Sequence, residues 1–421
     1  MTVGLLSGCG QKDPEDVSYN IPSDSKDAGE KEPASEAGSQ PSVSADTVAG
    51  SRIFTASCYG PEDVKTAVFK GNDLADYFRV VSVGDGKSVY EGRLEKSADA
   101  NEGREEVRVG DFSEITQPGN YYIETPVIGR STVFEIREDA AEETGAQLMS
   151  LWKQRFAGDA GSKENGAQAA KSLLVMGQSE EMLASAGSQE QDHRRLIDAA
   201  LLLEGAEDGW DPQDDGMAEA SYIAAMAQCS FLLSREKEYA EEFRKEALEA
   251  YQELTGANVV SQQAMLLSQA ALYKLTQNPN YAADLQVYLK QIKSFSRENY
   301  DIAYFYLTTP KNVDMEICDE LMKMLVRDCG NIIDEMPRRD GEIASLIAAG
   351  TEMPPETRDG ELFFGVLLRL ADHVLVSEEY RKNCSRIRSD LMMPRCVSLE
   401  ELDSRELAEL IWLSQEEKSP E

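Results

Sequence analysis

The sequence predicts a multidomain chain in which an all-β sandwich is followed by an all-α toroid. Three observations carry this. Short β-rich runs separated by turn residues fill positions 51–138. After Glu138 the apolar period changes from two to about 3.6 residues and keeps that value through 140–415. Ahead of both lies a stretch, 10–50, with almost no large apolar side chains.

The chain opens with an address. Leu5, Leu6, Ser7, Gly8 and Cys9 place an apolar pair and two small residues before a cysteine. That is the pattern of a bacterial lipoprotein signal, in which the cysteine thiol takes a diacylglycerol. Residues 1–9 are fewer than the basic region and about 7–15 apolar residues of a complete signal, so they read as its remnant. Lipidated Cys9 would hold the protein on a membrane at a bacterial cell surface. Residues 10–50, rich in Ser, Asp, Glu, Gly, Ala and Pro, cannot offset the entropy of ordering and read as a disordered tether. No later run reaches the roughly 18 apolar residues of a membrane span.

Charge narrows the partners. The formal net charge is −35, from 77 acidic and 42 basic residues. Such a field repels phosphate backbones, which argues against nucleic acid, and repels anionic headgroups, which makes any membrane attachment covalent. Aromatics make up 7% of the chain, few for a sugar-binding cleft. The seven cysteines are Cys9, Cys58, Cys229, Cys318, Cys329, Cys384 and Cys396. None forms a C-x-x-C pair, and the histidines are His193 and His373 alone, so no metal site or cofactor is expected. Apart from Cys9, most read as buried thiols on helices.

In the sandwich, strands are expected at Arg52–Ala56, Thr66–Phe69, Phe78–Val83 and Ser88–Gly92. Others follow at Glu106–Val109, Tyr121–Glu124 and Ser131–Ile136. Asp85-Gly86 and Pro118-Gly119 supply turns, and Gly110 to Ser113 is taken as a break. Strands of this length and spacing indicate an immunoglobulin-like sandwich. Gly110-Asp111-Phe112-Ser113, then Gln117-Pro118-Gly119-Asn120-Tyr121-Tyr122-Ile123, resembles the Ig-like domain that precedes the catalytic module of many family 9 cellulases. Lys87 to Gly92 and Phe134-Glu135-Ile136 add to the likeness. The resemblance implies a buttress without catalytic residues.

Helices are expected at Ala141–Phe156, Asn165–Ala184, His193–Glu204, Met217–Leu233, Glu238–Leu254, Gln262–Leu275 and Tyr281–Phe295. Four more are expected at Met315–Cys329, Glu361–Val376, Glu378–Leu391 and Leu399–Ser414. Sequential hairpins suit either an (α/α)6 toroid or a helical solenoid. No self-similarity of about 34 residues appears, which favours the toroid. Ala225 to Ser230, Ala247 to Tyr251, and Glu361 to Tyr380 resemble the helices of glycoside hydrolase family 9.

That resemblance implies an inverting mechanism with two carboxyl groups roughly 6.5–9.5 Å apart. The family's base comes from an Asp-Ala-Gly-Asp loop. Here the corresponding segment is Asp159-Ala160-Gly161-Ser162. Asp159 matches the first aspartate, and Ser162 stands where the base should be. A hydroxyl cannot take a proton from water near neutral pH. The family's acid lies in an Asn-Glu-Val-Ala context, partly matched by Arg405-Glu406-Leu407-Ala408, so Glu406 is the candidate acid. Its bland reading is a solvated residue on a terminal helix. No histidine follows His373, and residues 391–398 leave no room for the family's histidine- and arginine-bearing loops.

Two weaker features remain. The acidic loop Glu207 to Gly216 clusters oxygens but lacks EF-hand spacing, and Trp210 within it is a candidate for stacking on a sugar ring. Three functions are therefore open: a weak or non-catalytic relative that binds polysaccharide or oligosaccharide, an active endo-β-1,4-glucanase with Asp159 as an altered base, or a helical protein-interaction scaffold.

Overall fold

A computed structural model describes residues 52–96, 105–185, 193–207, 215–393 and 396–415. Cys9, the 10–50 stretch, Trp210 and most of its acidic loop lie outside these residues.

Among the described residues, nine strands form the N-terminal part: β1 Ile53–Phe54, β2 Cys58–Tyr59, β3 Thr66–Gly71, β4 Tyr77–Ser82, β5 Ser88–Lys96, β6 Glu106–Asp111, β7 Gly119–Thr125, β8 Gly129–Arg130 and β9 Phe134–Ile136. They pair in the order β1-β3-β6-β5-β4-β7-β9-β2, with β8 on β7. The long β5 turns the corner of the sandwich. Its first part pairs with β4, and Leu94 to Lys96 pair with β6. The core between the two halves holds Phe69, Phe78, Phe112, Ile123 and Phe134.

Two strands continue past their expected ends. β5 runs beyond Gly92, and β6 runs through Gly110. The Phe78 ring explains both. A Cβ on Gly110 would lie 2.5 Å from the ring, and one on Gly92 2.6 Å from it. These glycines let an aromatic ring lie on the strands and do not interrupt them.

Twelve α-helices follow among the described residues: α1 Ala140–Ala160, α2 Gly166–Ser185, α3 Arg194–Glu207, α4 Met217–Leu232, α5 Lys237–Gly256, α6 Gln262–Thr276, α7 Ala283–Leu289, α8 Tyr300–Leu307, α9 Met315–Ala349, α10 Pro355–Leu375, α11 Glu378–Leu391 and α12 Ser404–Ser414. The even-numbered helices make the inner ring. α2 packs on α4, α4 on α6, α6 on α8, and α10 on α12, which returns to α2. The odd-numbered helices pack outside them, giving an (α/α)6 toroid.

The inner helices run the same way. Ser261 N–H donates to Asp215 C=O (2.8 Å) at the starts of α6 and α4. Lys274 reaches Thr308 Oγ1 (2.8 Å) at the ends of α6 and α8. All the inner N-termini therefore open on one end, the mouth of the toroid.

Three helical expectations are corrected. α8 stands where the apolar period predicts no helix: Tyr300 to Leu307 is apolar on nearly every side, because an inner helix is buried all round and shows no amphipathic period. α7 is far shorter than Tyr281–Phe295. α9 runs past Cys329 to Ala349 with Pro337 inside it. A mid-helix proline costs about 3 kcal/mol. Burial of Ile332, Met336, Ile343 and Ile347 on one stripe, at about 1.5–3 kcal/mol each, outweighs it.

The sandwich docks on the toroid through β3 and β6 against α9. Val68 is part of the helical core, Lys70 Nζ donates to Ala348 C=O (3.1 Å), and Asp63 pairs with Arg388 of α11. The six described cysteines are free thiols. Cys229, Cys329, Cys384 and Cys396 are buried, while Cys58 is on β2 and Cys396 in the loop before α12, both off the helices.

Candidate functional site

The mouth is built where α1 ends and where α2, α8, α10 and α12 begin. After α1, Ser162 N–H donates to Asp159 C=O (3.1 Å). The Ser162 hydroxyl accepts the N–H groups of Glu164 and Asn165, both at 3.3 Å, and so starts α2. The Asp159 side chain turns inward and is 6% exposed. Its Oδ2 accepts the backbone N–H of Ser404 (3.1 Å), and its Oδ1 accepts the Asn165 amide (3.4 Å). Beside it, Trp152 Nε1 donates to Ser172 Oγ (2.6 Å), and Ser172 Oγ donates to Ser404 C=O (2.9 Å). The start of α12 is thus tied to α1 and α2.

α12 begins with a capping box. Asp403 Oδ1 accepts the Glu406 N–H (2.8 Å), and Glu406 Oε2 accepts the Asp403 N–H (3.1 Å). Arg358, in the first turn of α10, grips the same carboxylate with Nε on Oε1 (2.8 Å) and Nη2 on Oε2 (3.3 Å). The bland expectation of a solvated Glu406 is corrected: it is 6% exposed, because α12 is an inner helix packed between α2 and α10.

The two sequence-derived candidates therefore meet at one helix start. Asp159 accepts the N–H of Ser404, and Glu406 accepts the N–H of Asp403. A further cluster backs them. Arg297 and Arg405 share Asp359 and Glu409, with Arg405 Nη2 on Asp359 Oδ1 at 2.6 Å and Arg297 Nη2 on Glu409 Oε2 at 3.0 Å. Burial works against the charge of Asp359, but Arg405 and Arg297 hold its carboxyl below the ordinary value. The Arg297 guanidinium also stacks 4.9 Å over Phe363.

Sequence reasoning missed Arg297, Arg358, Asp359 and Glu409. A partial signal existed, since Arg405 and Glu409 stand four residues apart on the helix of Glu406 and pair there. The others come from distant elements. Cys9 and Trp210 lie outside the described residues.

Residues 57–130 match the cellulase N-terminal Ig-like domain family. No curated protein matches the sequence significantly. Among solved structures, a metagenome-derived glycoside hydrolase family 9 endoglucanase superposes with a TM-score of 0.62 at 13% identity, over 81% of this chain and 83% of that one. A Bacteroides ovatus family 9 protein gives 0.61 at 15% identity, over 81% and 84%. AaCel9A, in complex with a cellobiose-like isofagomine, gives 0.59 at 14% identity, over 81% and 81%. The fold is that of family 9 glycoside hydrolases. In this family 9 fold, the end that carries Asp159, Ser162 and Glu406 is the mouth onto which the inner helices open.

Proposed function

We propose that this family 9-like chain binds β-1,4-glucan oligosaccharides at the toroid mouth and hydrolyses them weakly or not at all. We place it at a bacterial surface, attached through lipidated Cys9. One arrangement carries the reading: Asp159 and Glu406 are both spent on holding the start of α12. Inversion needs one carboxylate to activate water and one carboxylic acid to protonate the leaving oxygen. Both Asp159 oxygens are taken, by Ser404 N–H and the Asn165 amide. Both Glu406 oxygens are taken by Arg358 and the Asp403 N–H. Ser162 offers a hydroxyl where a base is needed, and that hydroxyl caps a turn.

Support for a glycan ligand comes from the family 9 fold and from the sugar analogue bound by AaCel9A. Fold alone does not confer a ligand, so the test is direct. Calorimetric titration with cellotetraose, followed by mass analysis of the mixture, should show binding with the tetraose recovered intact. Absence of binding would favour the scaffold reading, and rapid conversion to shorter sugars would favour the enzyme.

A further inference from the structure

We propose that Lys171 and Asp301 are the ligand-contacting pair of the mouth and hold the hydroxyl groups of a neutral sugar ring. This rests on the glycan-binding reading above and names the residues that would carry it.

The charged groups described above are committed to one another: Asp159 to Ser404, Glu406 to Arg358, and Asp359 and Glu409 to Arg297 and Arg405. Lys171 and Asp301 differ. Both are half-buried. Among the described residues, Lys171 makes no hydrogen bond or ion pair and feels its charged neighbours only at longer range. Asp301, in the first turn of α8, receives the Gln178 amide on Oδ1 at 2.8 Å. Lys171 and Gln178 are two turns apart on α2 and share a face.

Polar capacity is left over around them. The Gln178 Oε1 and the Tyr300 hydroxyl are buried with no hydrogen-bond partner in the protein. A buried orphan of this kind is costly unless a ligand or water satisfies it. With Gln178 bonded to the half-buried Asp301 and Tyr300 next to it on α8, this unused capacity lies where the hydroxyls of a bound sugar would find partners. Burial pulls the Lys171 amine below its ordinary pKa and pushes the Asp301 carboxyl above its own.

Charge decides the ligand class. Arg405, Asp301, Asp215 and Asp403 all act on the Lys171 charge through space. Lys171, Glu409 and Arg297 act on the Asp301 charge in the same way. An anionic ligand would meet three carboxylates, and a cationic one would meet Lys171, Arg297 and Arg405. A neutral sugar meets neither penalty, because each hydroxyl can donate to Asp301 or Gln178 Oε1 and accept from Lys171.

The experiment is calorimetric titration of cellotetraose into the full chain and into Asp301→Asn, Lys171→Gln and the surface control Glu249→Gln. Thermal melts would run beside each titration. We expect each of the first two variants to bind about tenfold more weakly, with the control unchanged. Wild-type affinity in either folded variant would overturn this inference and leave glycan binding standing. Absence of binding by the unmodified chain would overturn both. If one variant fails to fold, the other decides.

Discussion

Asp159 and Ser404, 245 residues apart in sequence, are joined by a 3.1 Å hydrogen bond from the Ser404 N–H to the Asp159 carboxylate. It satisfies a helix-start donor that would otherwise be buried and unpaired. Asp159→Ala should therefore destabilise the fold by about 1–3 kcal/mol. Asp159→Asn, which keeps an acceptor oxygen, should retain most of that. Urea denaturation of both variants checks it, and equal stability of Asp159→Ala and wild type would refute the structural role.

Glu406 and Arg358 form a buried two-point pair. Breaking such a pair from one side leaves an uncompensated charge. Arg358→Met should cost about 3–5 kcal/mol. The double variant Arg358→Met with Glu406→Leu should recover much of the loss, since neither charge remains. A double variant as unstable as the sum of its parts would show that the pair holds more than itself.

The sequence made the two-domain order legible because period two and period 3.6 leave plain traces. It could not show α8, since Tyr300 to Leu307 has no polar face to mark a helix. Nor could it show that Gly92 and Gly110 lie inside strands, because the reason is the ring of Phe78 on β4, which pairs with the strand of Gly92 and reaches that of Gly110 across the core. At the site, local motifs led to Asp159, Ser162 and Glu406. Their partners Arg358 and Ser404 come from segments far away, and only the closed ring of inner helices brings them in. Burial of Glu406 is hidden in the sequence because α12, last in the chain, closes the inner ring between α2 and α10.

Helix α11 carries a pH dependence. Asp390 on α11 is pushed up to about 8, by burial first and then by Asp340, against the opposing charges of Arg386 and Arg339. Glu361 and the sandwich's Tyr59 also couple to it. Asp340, paired with Arg386 at 2.6 Å, is pushed up to about 6 by burial. An unfolded aspartate releases its proton near pH 3.9. Between roughly pH 4 and 8 the folded state thus holds a proton that the unfolded state has lost. Stability from Asp390 is complete below that window and falls as pH rises through it. The melting temperature should drop between pH 5 and 8, and the slope should flatten in Asp390→Asn. Parallel slopes would contradict the assignment.

Gly110→Ala would place a methyl group 2.5 Å from Phe78. The ring sits at the centre of the sandwich core, so it cannot step aside cheaply. A loss of about 1–3 kcal/mol is expected. Near-UV circular dichroism should show the aromatic packing disturbed, while far-UV signal from the helices persists.

The central claim is that Asp159 and Glu406 serve the fold and not a hydrolytic step. Reducing-sugar release from soluble β-1,4-glucan and mixed-linkage glucan, by the unmodified protein beside folded Asp159→Asn and Glu406→Gln, tests it most directly. The account predicts little or no release, and no difference among the three proteins. Steady turnover by the unmodified protein that either substitution abolishes would contradict it and restore both residues to catalysis.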